Sequence, residues 1–349
     1  MLLGITPLVR EPHYKVYVSK VYSLLVITAL SIALPFSLCY KQTEFAAMVN
    51  VRLVIAALMT ASLYAFNCLS ILSLPFAMRI KWQHLFNNLI KLEASIPNKS
   101  TKVKQYYFVF FFVNAFFWTV TISDLWIWYD IVGWEYIQQY LMDGVQTYFV
   151  LIYSLVLHAL IRSLAGYYDN LRHLFENRIS QWKKHIHMVP DDSSAFLVHN
   201  QHLFALLKDT VDVFNDIFGW PILLVLVYTG LLVIDYLDYT FKNYDGLDNN
   251  DFYKVATSNV FLVFLFFMNI LSLIWMCDSV LQQSEKTLKL CFQLRAIPTA
   301  KAEMFITIVY NNRPRFSVAR FFDLDRTTIC SVLSTITTFL IVMFQFKGA

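Results

Sequence analysis

The sequence predicts an all-α polytopic membrane protein with seven transmembrane helices, on three observations. Of its 349 residues, 58% are apolar and only 15% charged, against roughly a quarter charged in a soluble domain, and the mean hydropathy is +0.52. Seven runs are long enough to cross a hydrocarbon core of about 30 Å, which takes about 20 helical residues. The Lys and Arg residues also fall almost entirely in alternate connections. The 8 Gly exclude Gly-rich fibrous classes. No secretory signal is expected, because the first apolar run is longer than an h-region and has no small-residue cleavage site after it.

In chain order the spans are Val21–Tyr40, Leu53–Leu74, Tyr106–Tyr129, Val145–Leu164, Phe218–Asp235, Val255–Cys277 and Thr327–Phe346. An odd number puts the termini on opposite sides. Basic residues stay cytoplasmic. The N-terminal segment and the 2–3, 4–5 and 6–7 connections together hold 23 of the 28 Lys and Arg. The other side holds Lys41, Arg52, Lys242, Lys254 and Lys347. The N-terminus is therefore expected inside and the C-terminus outside. This excludes a G-protein-coupled receptor, whose seven helices run the other way. The sequon Asn98-Lys99-Ser100 falls on the cytoplasmic side and is expected to carry no glycan.

The inner connections are not simple loops. Leu171, Leu174, Phe175, Ile179, Trp182 and Ile186 recur at helical spacing, and Val189–Ser193 breaks that helix. Leu203, Leu207, Val211, Phe214 and Phe218 lead directly into span five. Comparable patterns follow span two (Trp82, Leu85, Phe86, Leu89) and span six (Leu288, Cys291, Leu294, then Met304–Tyr310). Such stripes must be buried, so the spans are expected to extend inward as one helical bundle. The outer connections are acidic, with Asp130, Glu135 and Asp143 in one and Asp235, Asp238, Asp245, Asp248 and Asp251 in the other. They form either a solvated loop or a device that concentrates cations. The five Cys are scattered, with no CxxC pair, so neither a disulfide framework nor a zinc site is expected.

On the last span Ser331, Thr335, Thr338, Val342 and Gln345 follow 4-3-4-3 spacing and share one stripe. Water in a pore, or the same Gln from symmetry-related copies, would satisfy the amide. Small-residue helix packing would also produce such a stripe.

The run Thr338-Phe339-Leu340-Ile341-Val342-Met343-Phe344-Gln345-Phe346 resembles the closing signature of the insect gustatory receptors: Thr-Tyr, five hydrophobic residues, then Gln-Phe. Phe339 replaces the Tyr, which loses a hydroxyl and keeps the ring. The resemblance in architecture covers the whole chain. It implies a single seven-helix domain over 1–349, with a cytoplasmic anchor at about 165–217 and 278–326 and a pore helix at about 327–346. It implies a plasma-membrane, ligand-gated non-selective cation channel, homotetrameric or heterotetrameric. No enzyme activity, cofactor, nucleic acid or G protein is implied. Gln345 would be the narrow polar pore position, with Phe346 beside it and Thr338 on the same stripe. Either Ile341 or Val342 would form a hydrophobic gate that closes by dewetting.

The resemblance also implies an outward pocket among helices two to six for a tastant, a sugar or a bitter compound. Candidate lining residues are Tyr64, Trp118, Asp124, Trp126, Tyr148, Tyr153, Tyr228, Asn259 and Phe264, aromatic walls with a few polar groups. Asp124 stands out, because a carboxylate inside a span is expensive unless solvated, paired or functional. Arg52 is a conceivable partner. Trp126, Trp128 and Trp134 also suit a membrane-interface belt. His158 suits a packed histidine, and His185 with His187 is a weak metal candidate. An insect odorant receptor-type subunit is the alternative. A secondary transporter would show internal repeats, and none is evident.

Overall fold

The structure, a computed structural model, describes residues 20–47, 50–96, 103–184, 192–242, 249–293 and 300–347. In chain order come α1 (Lys20–Tyr40), a short α2 (Gln42–Ala47), α3 (Asn50–Leu72), α4 (Arg79–Ser95) and α5 (Val103–Val132). Three long helices follow, α6 (Trp134–Lys184), α7 (Asp192–Lys242) and α8 (Asn249–Phe292). Then come α9 (Ala300–Asn311), strands β1 (Ser317–Val318) and β2 (Phe322–Asp323), and α10 (Arg326–Lys347). The helices α1, α3, α5, α6, α7 and α8 are long and apolar enough to cross a membrane, and the apolar α10 takes the place of the seventh expected span. The sequon at 98–100, His185 and His187, Asp245 and Asp248, and the Phe346 side chain lie outside the described residues.

Helices α6 and α7 have 51 residues each, which at 1.5 Å per residue is about 75 Å. That is more than twice the hydrocarbon core, so both project well beyond it. The projecting parts pack on each other and on α9. Phe175 of α6 meets Phe196 and Phe204 of α7 at ring-centroid distances of 5.4 and 6.0 Å, and Phe305 of α9 at 5.5 Å. Phe175, Phe204 and Phe305 are fully buried, with Leu171, Leu207 and Val211 around them. Most of the apolar stripe residues visible in the sequence are therefore buried against one another, while Leu174, Met304 and Tyr310 are exposed. The Trp182 side chain, Ile186 and Leu294 lie outside the described residues. Cys291 is buried in this region too, and burial pushes its thiol up to about 12, which leaves it inert.

The segment after α3 turns inward at Pro75, which has no N–H to donate. The chain widens there into a π-turn over Ser73–Ala77, closed by Met78 N–H donating to the Ser73 carbonyl at 2.7 Å. Helix α4 then lies along α7. It buries Trp82, Leu85 and Leu92 and presents Lys81, His84 and Asn88, spaced three and four apart on one face. Lys81 reaches Asp216 at 2.8 Å, while His84 and Asn88 reach Asp209 at 2.7 and 2.8 Å.

The β1–β2 hairpin joins α9 to α10. It pairs Ser317 with Asp323 and Val318 with Phe322, and turns through Ala319 and Arg320 at φ of 47° and 63°. Two non-glycine residues at positive φ are strained, and contacts to α7 hold them. Asn215 accepts from Ser317 N–H at 3.1 Å and donates to the Arg315 carbonyl at 2.6 Å. Arg320 reaches Asp216 at 3.0 Å. The turn lies so close to Gly219 that a Cβ there would meet the Ala319 nitrogen at 2.8 Å. Asp325 then caps α10, accepting from the N–H of Thr327 and Thr328 at 2.9 and 3.2 Å.

Candidate functional site

A cavity of about 650 Å³ opens between α3, α5, α6, α7 and α8, near the α5–α6 turn and the ends of α1, α2 and α3 facing each other. Each helix contributes residues at helical spacing: Phe117, Thr121, Asp124 and Trp128 from α5, Tyr136, Tyr140 and Thr147 from α6, Tyr228, Asp235 and Tyr239 from α7. That spacing places each set on one face of its helix.

Ion pairs frame the cavity. Lys41 pairs with Asp143 and lies 4.2 Å from the Tyr140 ring centroid. Arg52 sits 3.6 Å from Asp235 and 5.5 Å from the Tyr239 centroid. The partnership of Arg52 with Asp124 that the sequence made conceivable therefore does not form, because the guanidinium lies against Asp235. Asp124 is 8% exposed. It accepts from Ser258 at 2.7 Å and from Tyr136 at 3.2 Å. Trp128 stacks on Tyr136 at 5.0 Å and meets Tyr239 edge-on at 5.6 Å. Thr147 bonds Tyr228 at 3.1 Å, Tyr148 donates to Asn114 at 3.0 Å, and Asn259 donates to Thr240 at 3.2 Å.

Of the sequence-derived candidates, Trp118, Asp124, Tyr148, Tyr228 and Asn259 all line this cavity. Four others lie elsewhere. Trp126 and Phe264 point outward, 74% and 53% exposed. Tyr153 is buried deeper, edge-on to Phe66 at 5.2 Å. Tyr64 bonds Ser31 of α1 at 2.7 Å. Lys41, Trp128, Tyr136 and the Arg52–Asp235 pair escaped the sequence reading. Helical spacing from Asp124 singles out Trp128, four residues on, and rejects Trp126, about 200° round the helix. The carboxylates Asp130 and Asp251 both contact Lys254, at 3.9 and 3.0 Å. His158 is a packed residue, bridging the Ser154 carbonyl and Ser272 Oγ at 2.6 Å each.

A second feature is the pair of faces on α10. Ile336 is buried, and with Val332 and Leu340 it packs on Ile55, Val233 and Ile234. Ser331, Thr335, Thr338, Val342 and Gln345 face the other way and are exposed, as is Ile341. The hydroxyls of Ser331, Thr335 and Thr338 are satisfied by the carbonyls four residues back, at 2.8 to 3.1 Å.

A model of the 7tm chemosensory receptor family matches residues 1–348. The chain belongs to that family. The fold of this chemosensory receptor is similar to that of the insect olfactory receptor OR5 from Machilis hrabei, at 15% identity and a TM-score of 0.64, covering 97% of this chain and 93% of that one. The same olfactory receptor in complex with eugenol gives 16% identity and a TM-score of 0.67 over the same shares. No curated protein matches the receptor by sequence. The all-α polytopic architecture expected from the sequence is that of this receptor; the small hairpin is its one departure from pure helix among the described residues.

Proposed function

We propose that this chemosensory receptor is a ligand-gated, non-selective cation channel of the gustatory type, and not an enzyme. Its N-terminus is cytoplasmic and its C-terminus extracellular, so the cavity opens outward in the plasma membrane. A tastant enters that cavity, and α10 from each of four like or related subunits lines a central pore. The projecting parts of α6, α7 and α8, with α9, serve as the cytoplasmic anchor.

The observation that supports this reading is the division of α10 into two faces. One apolar face, Val332, Ile336 and Leu340, packs on its own chain, while the small and polar stripe faces away from the chain that carries it, flanked by the exposed Leu333, Phe339 and Ile341. Such a stripe is poorly matched to lipid and well matched to water. The same stripe ends in the Gln345-Phe346 pair that resembles the gustatory signature. A likeness to an olfactory receptor at 15% identity speaks for the fold and not for taste or odour, so the support for the gustatory type comes from the closing run.

The test is whole-cell current from cells expressing this chain with G-protein signalling blocked. A ligand-evoked cation current is expected, and Gln345→Glu should change its selectivity or rectification. Current indifferent to every substitution of Gln345 would remove it from the pore. Dependence on a G protein would end the channel reading.

A further inference from the structure

We infer that the cavity selects a protonated amine carried on an aromatic or apolar body, with Asp124 as the counter-ion. This rests on the channel-and-cavity reading above and names the class of ligand it takes. The inference starts from a charge imbalance. Three carboxylates and two cations line the cavity. Lys41 is held by Asp143 and Arg52 by Asp235. No described Lys, Arg or His lies within ion-pair reach of Asp124, whose partners are the neutral Ser258, Tyr136 and Trp128. A carboxylate has about four lone-pair sites, so those three donors leave room for one more. A buried charge without a counter-ion is unfavourable, and an ammonium entering the cavity would remove that penalty.

The surroundings suit the same guest. The rings of Trp128, Tyr136 and Tyr239 pack together beside the carboxylate, and such faces attract a cation. Beyond them Met59, Phe117, Leu262 and Phe266 supply an apolar wall in a volume fit for a drug-sized molecule. A sugar is less well matched. The polar groups of Thr147, Tyr148 and Asn259 are already bonded within the protein, and a polyhydroxyl guest needs several free partners. Among the described lining residues, Thr121 Oγ1, one helical turn from Asp124, and Arg52 Nε are left buried without a hydrogen-bond partner, fewer than a polyhydroxyl guest requires. An anionic guest would meet Asp124 without relief.

The experiment uses purified full-length receptor and two probe pairs matched in ring and chain: 2-phenylethylamine with 2-phenylethanol, and tryptamine with tryptophol. Binding is read by thermal stabilisation, current by whole-cell recording. The amines are expected to bind at least about tenfold more tightly than the alcohols. Asp124→Asn should weaken amine binding by about 10- to 100-fold with little change for the alcohols, and Asp124→Glu should restore part of it. If the Asn variant does not elute as a folded receptor, Trp128→Leu keeps the charge and should still lower amine affinity more than alcohol affinity. Equal binding of amines and alcohols, amine binding unchanged in Asp124→Asn, or no amine binding would each overturn the inference. Amine binding without current at the cell surface would instead sink the channel reading and leave the ligand class standing. A current evoked by the alcohols alone would do the reverse.

Discussion

At one end of the α6–α8 bundle phenylalanines interlock; at the other, tyrosines and tryptophans stand around a cavity. Phe175, Phe204 and Phe305 fill space with rings that carry no polar atom. Tyr136, Tyr140, Tyr239 and Trp128 border a cavity of about 650 Å³ and each brings an O–H or N–H. A ring with a polar handle suits a surface that is apolar on one side and wet on the other, and a plain ring suits dry packing. The contrast teaches where stability resides. The close-packed end holds the helices in register, which lets the other end keep an open cavity.

The largest expected effect breaks that contrast at its dry end. Phe305→Ala should destabilise the receptor by about 3–5 kcal/mol, as ring deletions in close-packed cores do. Trp118→Ala, at a cavity wall and 46% exposed, should cost well under half of that in stability. Thermal unfolding of the purified variants, with surface expression beside it, measures both. Equal losses would mean that the two ends share the load and that the division is wrong.

Gly219 sharpens the comparison at the junction between the bundle and α10. Its missing side chain lets the β1–β2 turn approach α7, where an added Cβ would meet backbone 2.8 Å away. Backbone cannot rotate aside as a flexible side chain can, so Gly219→Ala should cost about 1–3 kcal/mol. It should also displace the hairpin that leads into α10. In channel recordings it is expected to alter gating while amine affinity at the distant cavity stays unchanged. A variant as stable as wild type would show that the approach is not required.

Much of this was legible in the sequence, for identifiable reasons. Hydropathy located the spans because a bilayer demands about 20 apolar residues, and apolar periodicity foretold the extensions into α6, α7 and α8. The cavity was only partly readable. Trp118, Asp124, Tyr148, Tyr228 and Asn259 fell within the right half of the right helices, but depth alone does not say which way a side chain points, so Trp126 and Phe264 were included as well. Registering each helix on Asp124 would have exchanged Trp126 for Trp128. Lys41 was read only as a charge of the outer side and Arg52 as a partner for Asp124, since pairing across 102 and 183 residues of chain leaves no local trace. The hairpin escaped because two-residue strands have too short a pattern, and its turn uses Ala319 and Arg320 where Gly or Asn would have announced it.

The smallest effect concerns the polar seam between α4, α7 and the hairpin. Hydrogen bonds from Lys81, and then from Arg320, hold the Asp216 carboxyl below the usual carboxylate range against the opposing effect of burial. Unfolded, the same group titrates near about 3.9. A carboxylate whose value falls on folding contributes stability above its unfolded value and loses it as the pH drops through the folded one. The contribution should therefore be complete at neutral pH and fade below about pH 4. Lys81 and Arg320 are both largely solvated, with side chains 47% and 84% exposed, so the gain stays within about 1 kcal/mol. Asp216→Asn should accordingly lower the unfolding temperature slightly at pH 7, and the difference from wild type should close as the pH approaches 3 and as salt is raised. A difference that persisted undiminished in acid would show that Asp216 acts through hydrogen-bond geometry, and that the seam is not held by charge.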